Sequence, residues 1–133
     1  MDEQTEHSEL VEAYRATSYR GKPRGEPDWS LRLDEPAPVD GPIAYITADN
    51  PGSRRLSDDE NTRRRRRLET ELREASHSFF PGRSVADEGD WPDEYGFWVR
   101  GVDRREAREI AAGFDQNAIV FVDDGVAELV FCA

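Results

Sequence analysis

The sequence predicts an α+β fold: a two-layer sandwich of a mainly antiparallel or mixed sheet, with two longer helices on one face and a short N-terminal helix. Three observations predict it. Short apolar or alternating stretches are separated by clusters of Pro, Gly, Asn and Asp, as strands separated by turns would be. Two segments open with capping boxes, Ser57 with Glu60 and Asp103 with Glu106, and carry apolar residues at helical spacing. The tail "NAIVFVDDGVAELVFC" places Asp123-Asp124-Gly125 between two apolar runs, the signature of a β-hairpin.

Taken in order, "TEHSELVEAYRATSYRG" offers Thr5 or Ser8 as a helix cap and sets Leu10, Val11 and Tyr14 near one face. Thr17-Ser18-Tyr19 then turns extended. After the turn-rich "GKPRGEPD", Trp29, Leu31 and Leu33 alternate with Ser30 and Arg32, which predicts a strand buried on one side. "DEPAPVDGP" is a surface loop. "IAYITA" at 43–48 is short and apolar on both faces, which favours a central strand, and it ends at Asp49-Asn50-Pro51-Gly52, a strong turn. The Ser57 box opens a helix to about Ala75, followed by a short strand stopped at Phe79-Phe80-Pro81-Gly82 and a polar loop, "VADEGDWPDE". Tyr95, Phe97 and Val99 share one side of the next strand. Ala107, Ile110, Ala111 and Phe114 line one face of the last helix before the hairpin. The predicted order is α-β-β-β-α-β-β-α-β-β.

A length of 133 residues predicts a single compact domain, 1–133. Acidic residues number 29 against 18 basic ones, and every basic residue but Lys22 is arginine. That balance suits a salt-adapted, halophilic cytoplasm or a GC-rich genome, and phosphates would meet net repulsion, which disfavours nucleic acid as a partner. One cysteine, Cys132, permits no internal disulfide and fits a reducing compartment. Neither a leader nor a membrane-length apolar run is evident, so a soluble, cytoplasmic protein without a membrane partner is expected. His7 and His77 are isolated, "DEGD" and "DDE" lack the calcium-loop pattern, and no G-x-S-x-G appears. No metal and no cofactor are expected.

Positive charge is concentrated at Arg63–Arg67. Five consecutive helical residues sweep more than a full turn, so they cannot all face water. Most of the run is expected to form a solvated face paired with its own acids, Asp59 with Arg63, Glu60 with Arg64 and Arg67 with Glu71. Stepping back from Leu68 along the apolar stripe reaches Arg65, Arg64 and Asn61, so the inner face turns polar toward the helix start and requires polar partners or a cleft. Thr47, Asp49 and Asn50, just before the helix, are the nearest in sequence. "NPGSRRLSDDEN" is no P-loop.

The blocks Ala13-Tyr14 with Thr17 and Tyr19, "ITADNPGS", Ser57, Glu60-Asn61, Leu68 and "FDQNAIV" stand in an order that resembles the uncharacterised family catalogued as domain of unknown function 3293. Asp49 and Asp115 depart from its pattern, in which an aromatic and a glycine are frequent. The resemblance implies a compact cytosolic domain of microbial type and no established activity. It draws attention to Gln116 and Asn117, which join the others if their strand starts beside the end of the 43–48 strand. The expected binding residues are therefore Thr47, Asn50, Asn61, Arg64, Arg65, Gln116 and Asn117.

Three functions compete. The first is a binding module whose Asn/Arg/Gln pocket holds an anionic or amide-bearing small ligand or peptide. The second is an enzyme acting on a small anionic or nucleotide-like substrate at that pocket, which a carboxylate within reach of the ligand would favour. The third is an interaction domain whose protein partner covers Trp91, Tyr95 and Trp98. Monomer and homodimer, the latter through the terminal strand edge, are equally compatible with the sequence.

Overall fold

The computed structural model describes residues 3–132, with side chains described from Ser8 onward. The elements are α1 (Glu3–Arg15), β1 (Thr17–Gly21), β2 (Trp29–Leu31), β3 (Ile43–Thr47), a 3-10 turn (Pro51–Ser53), α2 (Asp58–Glu74), β4 (Ser78–Ala86), β5 (Glu94–Arg100), α3 (Arg104–Ala112), β6 (Ala118–Asp123) and β7 (Val126–Phe131). The order is the predicted one. Both capping boxes form: Ser57 Oγ accepts from Glu60 N, and the Asp103 carboxylate accepts from Glu106 N at 2.8 Å. The Asp124-Gly125 turn has positive φ at both residues, which is the twist a two-residue hairpin needs.

The lengths differ from expectation in two places. The first helix has 13 residues and the last has nine, so the picture of a short N-terminal helix beside two longer ones does not hold. The first helix already includes Glu3, so neither Thr5 nor Ser8 caps it; the side chains of Thr5 and His7 lie outside the described residues. The strand expected to stop at Gly82 instead runs to Ala86. Pro81 is tolerated because its carbonyl accepts from Lys22 N, just past the end of β1. Its missing N–H therefore falls on that side and spares the β4–β5 ladder.

All strand pairs are antiparallel, in the order β2-β1-β4-β5-β3-β6-β7. Both longer faces of the central strand are buried, as its five buried residues require. On one face Leu68 and Leu72 of α2 and Ala107 and Ala111 of α3 pack on Ala44, Ile46, Phe97, Val99, Ile119 and Phe121. The two-layer sandwich is corrected on the other face. There the sheet curls over a second core of its own, Tyr19, Leu31, Ile43, Tyr45, Phe80, Trp98, Val120 and Val122, forming a half-barrel.

A row of glycines in register, Gly21, Gly82 and Gly96, crosses three strands on the concave face. A Cβ at Gly21 or Gly82 would lie within 2.8 Å of Trp29 or Trp98 ring atoms, so the rings occupy the space that the glycines leave. Such a row is where a sheet can bend sharply. The loop after β2 bridges the gap between the edge strands at one end: Asp34 N donates to Ala127 O at 2.8 Å and Ala37 N to Gly125 O at 2.7 Å. That loop covers the first part of the β7 edge. The opposite end of the half-barrel stays open under α1.

Candidate functional site

The C-terminal end of β3 divides the molecule into a helix side and a concave side. Asn50 adopts the left-handed conformation, φ 47° and ψ 64°, which asparagine tolerates better than most residues. That turn lets Asn50 and Asn61 bond reciprocally: Asn50 N donates to Asn61 Oδ1 and Asn61 Nδ2 to Asn50 Oδ1, each at 2.9 Å. Asn50 Oδ1 also accepts from Leu56 N. Asn61 thus satisfies the loop's backbone from inside the helix stripe.

The two inward arginines stay on the helix side. Arg64 donates to the carbonyls of Ala48 (2.6 Å from Nε) and Phe114, clamping α2 to the end of β3 and to the turn after α3. Arg65 pairs with Asp49 at 2.9 Å and lies over the Tyr95 ring, 4.9 Å from its centroid. Asp49 is only 2% exposed. Its burial raises its pKa, against the opposing pull of hydrogen bonds from Tyr95 N and Arg65. Among the described residues none of the three expected acid–arginine pairs of the run closes; Arg67 instead lies over Phe114, and the helix's own i,i+4 pair is Glu69 with Arg73.

The remaining expected residues face the concave side. Thr47 Oγ1 donates to Tyr95 O, Gln116 Nε2 to Asp49 O at 3.1 Å, and Asn117 Nδ2 to Ser53 Oγ at 2.9 Å. β6 pairs antiparallel with β3, so its start does lie beside the end of that strand. With Asn50, these three side chains line a cavity of about 670 Å³ at the open end of the half-barrel. Asn61, Arg64 and Arg65 do not line it.

A carboxylate lies in that cavity. Glu94 Oε2 accepts from Asn50 Nδ2 at 2.8 Å and from Trp91 Nε1 at 3.3 Å. Oε1 accepts no hydrogen bond among the described residues. Burial raises the pKa of Glu94, the two donors pull it down, and the Asp49 charge raises it further. Tyr14, Tyr19 and Tyr45 complete the wall, and their phenols are also raised, in each case chiefly by burial. The Tyr45 hydroxyl donates to Glu94 O and the Tyr19 hydroxyl to Tyr14 O.

Glu94 is absent from the expected set, although a signal existed. If Tyr95, Phe97 and Val99 face one side, then Glu94, Gly96 and Trp98 face the other, and a carboxylate on the same face as a core tryptophan is unusual. The aromatic surface expected at Trp91, Tyr95 and Trp98 does not exist as a unit. Trp98 is fully buried, Trp91 lines the cavity, and Tyr95 lies on the helix side under Arg65.

Among the described residues no three His, Cys, Asp or Glu side chains come together as a metal site, and no helix is long and apolar enough to cross a membrane. No curated protein and no solved structure matches the chain at a significant level. Residues 46–119, more than half of the chain, match the family described as protein of unknown function, DUF3293, and this span carries Thr47, Asn50, Asn61, Glu94 and Gln116. The chain belongs to that family.

Proposed function

We propose that this protein is a small-ligand-binding domain whose site is the concave cavity and whose ligand engages Glu94. The single observation that carries the reading is the carboxylate itself. It is held at one oxygen by Asn50 and Trp91, its other oxygen accepts no hydrogen bond among the described residues, and the residue lines an aromatic-walled cavity of ligand size. Gln116 and Asn117 add amide groups at the rim, which suits a ligand carrying N–H donors such as an amide or amine. The anion suggested by the arginine run is disfavoured, because Arg64 and Arg65 are committed to carbonyls and to Asp49 outside the cavity. The acidic composition supports a salt-adapted cytoplasmic setting.

Trp91 provides the assay. Titration with small amides and amines is expected to shift its fluorescence saturably, Trp91→Phe to change that signal, and Glu94→Gln to weaken binding at least tenfold in calorimetry. A panel of amides, amines and carboxylates that produces no saturable response would overturn the reading. An enzymatic role has one specific observation in its favour, a carboxylate in the cavity wall, whose pKa burial raises toward the range of a general acid or base. Turnover of a bound ligand that disappears in Glu94→Gln at saturating concentration would establish it.

A further inference from the structure

The lining of the cavity is selective in charge. The chain has 18 basic residues, yet among the described residues no Lys, Arg or His lines this cavity, whereas Asp87, Glu88 and Glu94 do. The contrast with the groove of about 910 Å³ on the opposite face of β1 and β4 is direct, since Arg20, Lys22, Arg32 and Arg83 all line that one. Asp87 is neutralised by a bidentate pair with Arg32, at 2.6 and 2.9 Å. Among the described residues Glu94 has no such partner: its two side-chain contacts are an amide and an indole N–H, which orient the carboxylate without cancelling its charge.

The walls around Glu94 are aromatic. Tyr14, Tyr19, Tyr45 and Trp91 all line the space, and the hydroxyls of Tyr19 and Tyr45 are spent on backbone carbonyls. Both rings are also almost fully buried in the concave core, at 2% and 4% exposed, so the ring faces open to a ligand are those of Trp91 and the half-buried Tyr14. Trp91 is 40% exposed, and its N–H is anchored on Glu94, which fixes the indole beside the carboxylate. Aromatic faces carry negative potential and attract cations, most strongly when the cation sheds water on burial. A bare metal ion is a poor match, because it needs several oxygen ligands and the described residues gather no such set. A cation with an apolar coat needs only one counter-charge and ring faces.

Resting on the cavity as the ligand site, we propose that its ligand class is an alkylated ammonium ion, with the charge beside the Glu94 carboxylate and the alkyl groups against Trp91 and Tyr14. The net charge of -11 favours the approach of such a ligand.

The test compares choline with 3,3-dimethyl-1-butanol, its uncharged carbon isostere, alongside acetate and a neutral amide, N-methylacetamide, at constant ionic strength set with NaCl. Binding is followed by Trp91 fluorescence and by calorimetry on the whole chain. Choline is expected to bind at least tenfold more tightly than its isostere. Trp91→Leu and Glu94→Gln are each expected to weaken choline at least fivefold, with far-UV circular dichroism unchanged, and Trp91→Phe to retain most of the affinity. If the isostere or the amide binds as well as choline, the cation preference is wrong while the cavity remains the ligand site. If none of the four binds, the cation proposal and the cavity reading fail together. Choline binding that survives both Glu94→Gln and Trp91→Leu would place the cation elsewhere and overturn the proposal.

Discussion

Glu94 sits where the fold alone would not put a carboxylate. Burial lifts its folded-state pKa above the ordinary 4.5, so the native state holds that proton more tightly than the unfolded chain does. Its contribution to stability is therefore fully present below about pH 4.5, the ordinary value, and is lost as pH rises through the higher folded value. Asp49 is shifted in the same direction, so the wild-type profile contains both groups and a difference measurement is needed to separate them. Glu94→Gln keeps an oxygen to accept from Asn50 and removes the titration. The variant is expected to match or fall slightly below wild type at pH 4, and to exceed it at pH 7 by on the order of 1 kcal/mol, or about 4 °C in Tm at this chain length. Thermal melts of both proteins between pH 4 and 8 measure that difference. A difference that is flat with pH would mean that Glu94 is not held at a raised pKa. Residues that lower stability where they stand are the ones a function would retain.

The elements themselves were largely legible in the sequence, and the reason is that their signals are local. Both capping boxes, the Asp124-Gly125 turn and the doubly apolar central strand each need only a few neighbouring residues to be read. Pro81 and Gly82 mislead for the same reason. Within one strand they look like terminators, and only the pairing shows that the missing N–H faces the end of β1 and that Gly82 stands beside Gly21 and Gly96. The glycine row is thus a property of three strands together, and it produces the curl that separates a half-barrel from a flat two-layer sandwich. Gly96 is the most demanding member. A Cβ there would lie 2.4 Å from Ile46 O, a backbone atom of the central strand that cannot rotate away as a side chain could. Gly96→Ala is expected to lower stability by about 3 kcal/mol, at the upper end of what overpacking costs, and to be measured as a fall in the denaturant midpoint. A loss below about 0.5 kcal/mol would show that the sheet can flatten at that point without penalty.

On the scale of the whole molecule, the cavity depends on how four distant segments meet, which explains why only its polar rim is legible in the sequence. Thr47, Asn50, Gln116 and Asn117 belong to two neighbouring strands and their turns, a relation that the antiparallel pairing of β3 with β6 made accessible. Tyr14 comes from α1 and Glu94 from β5, and no periodicity links those two. The wall supplied by α1 is also the least firmly held. Beyond the packing of Tyr14 on the concave core, its described polar ties are Thr17 Oγ1 to Ala13 O at 2.8 Å, the Tyr19 hydroxyl to Tyr14 O at 3.1 Å, and an exposed ion pair between Arg15 and Asp34. An exposed pair of that kind contributes at most about 1 kcal/mol. By contrast β3, fully buried, is hydrogen-bonded on both sides by β5 and β6. Native-state hydrogen exchange should therefore find the α1 amides opening at a free energy well below that of β3, β5 and β6, which should exchange only with global unfolding. A ligand that packs on Tyr14 stabilises the closed position of α1, so saturating choline should slow exchange in α1 more than in β7. If α1 is already as protected as β3 without ligand, the helix is a fixed wall, and entry must occur past Trp91 on the loop between β4 and β5.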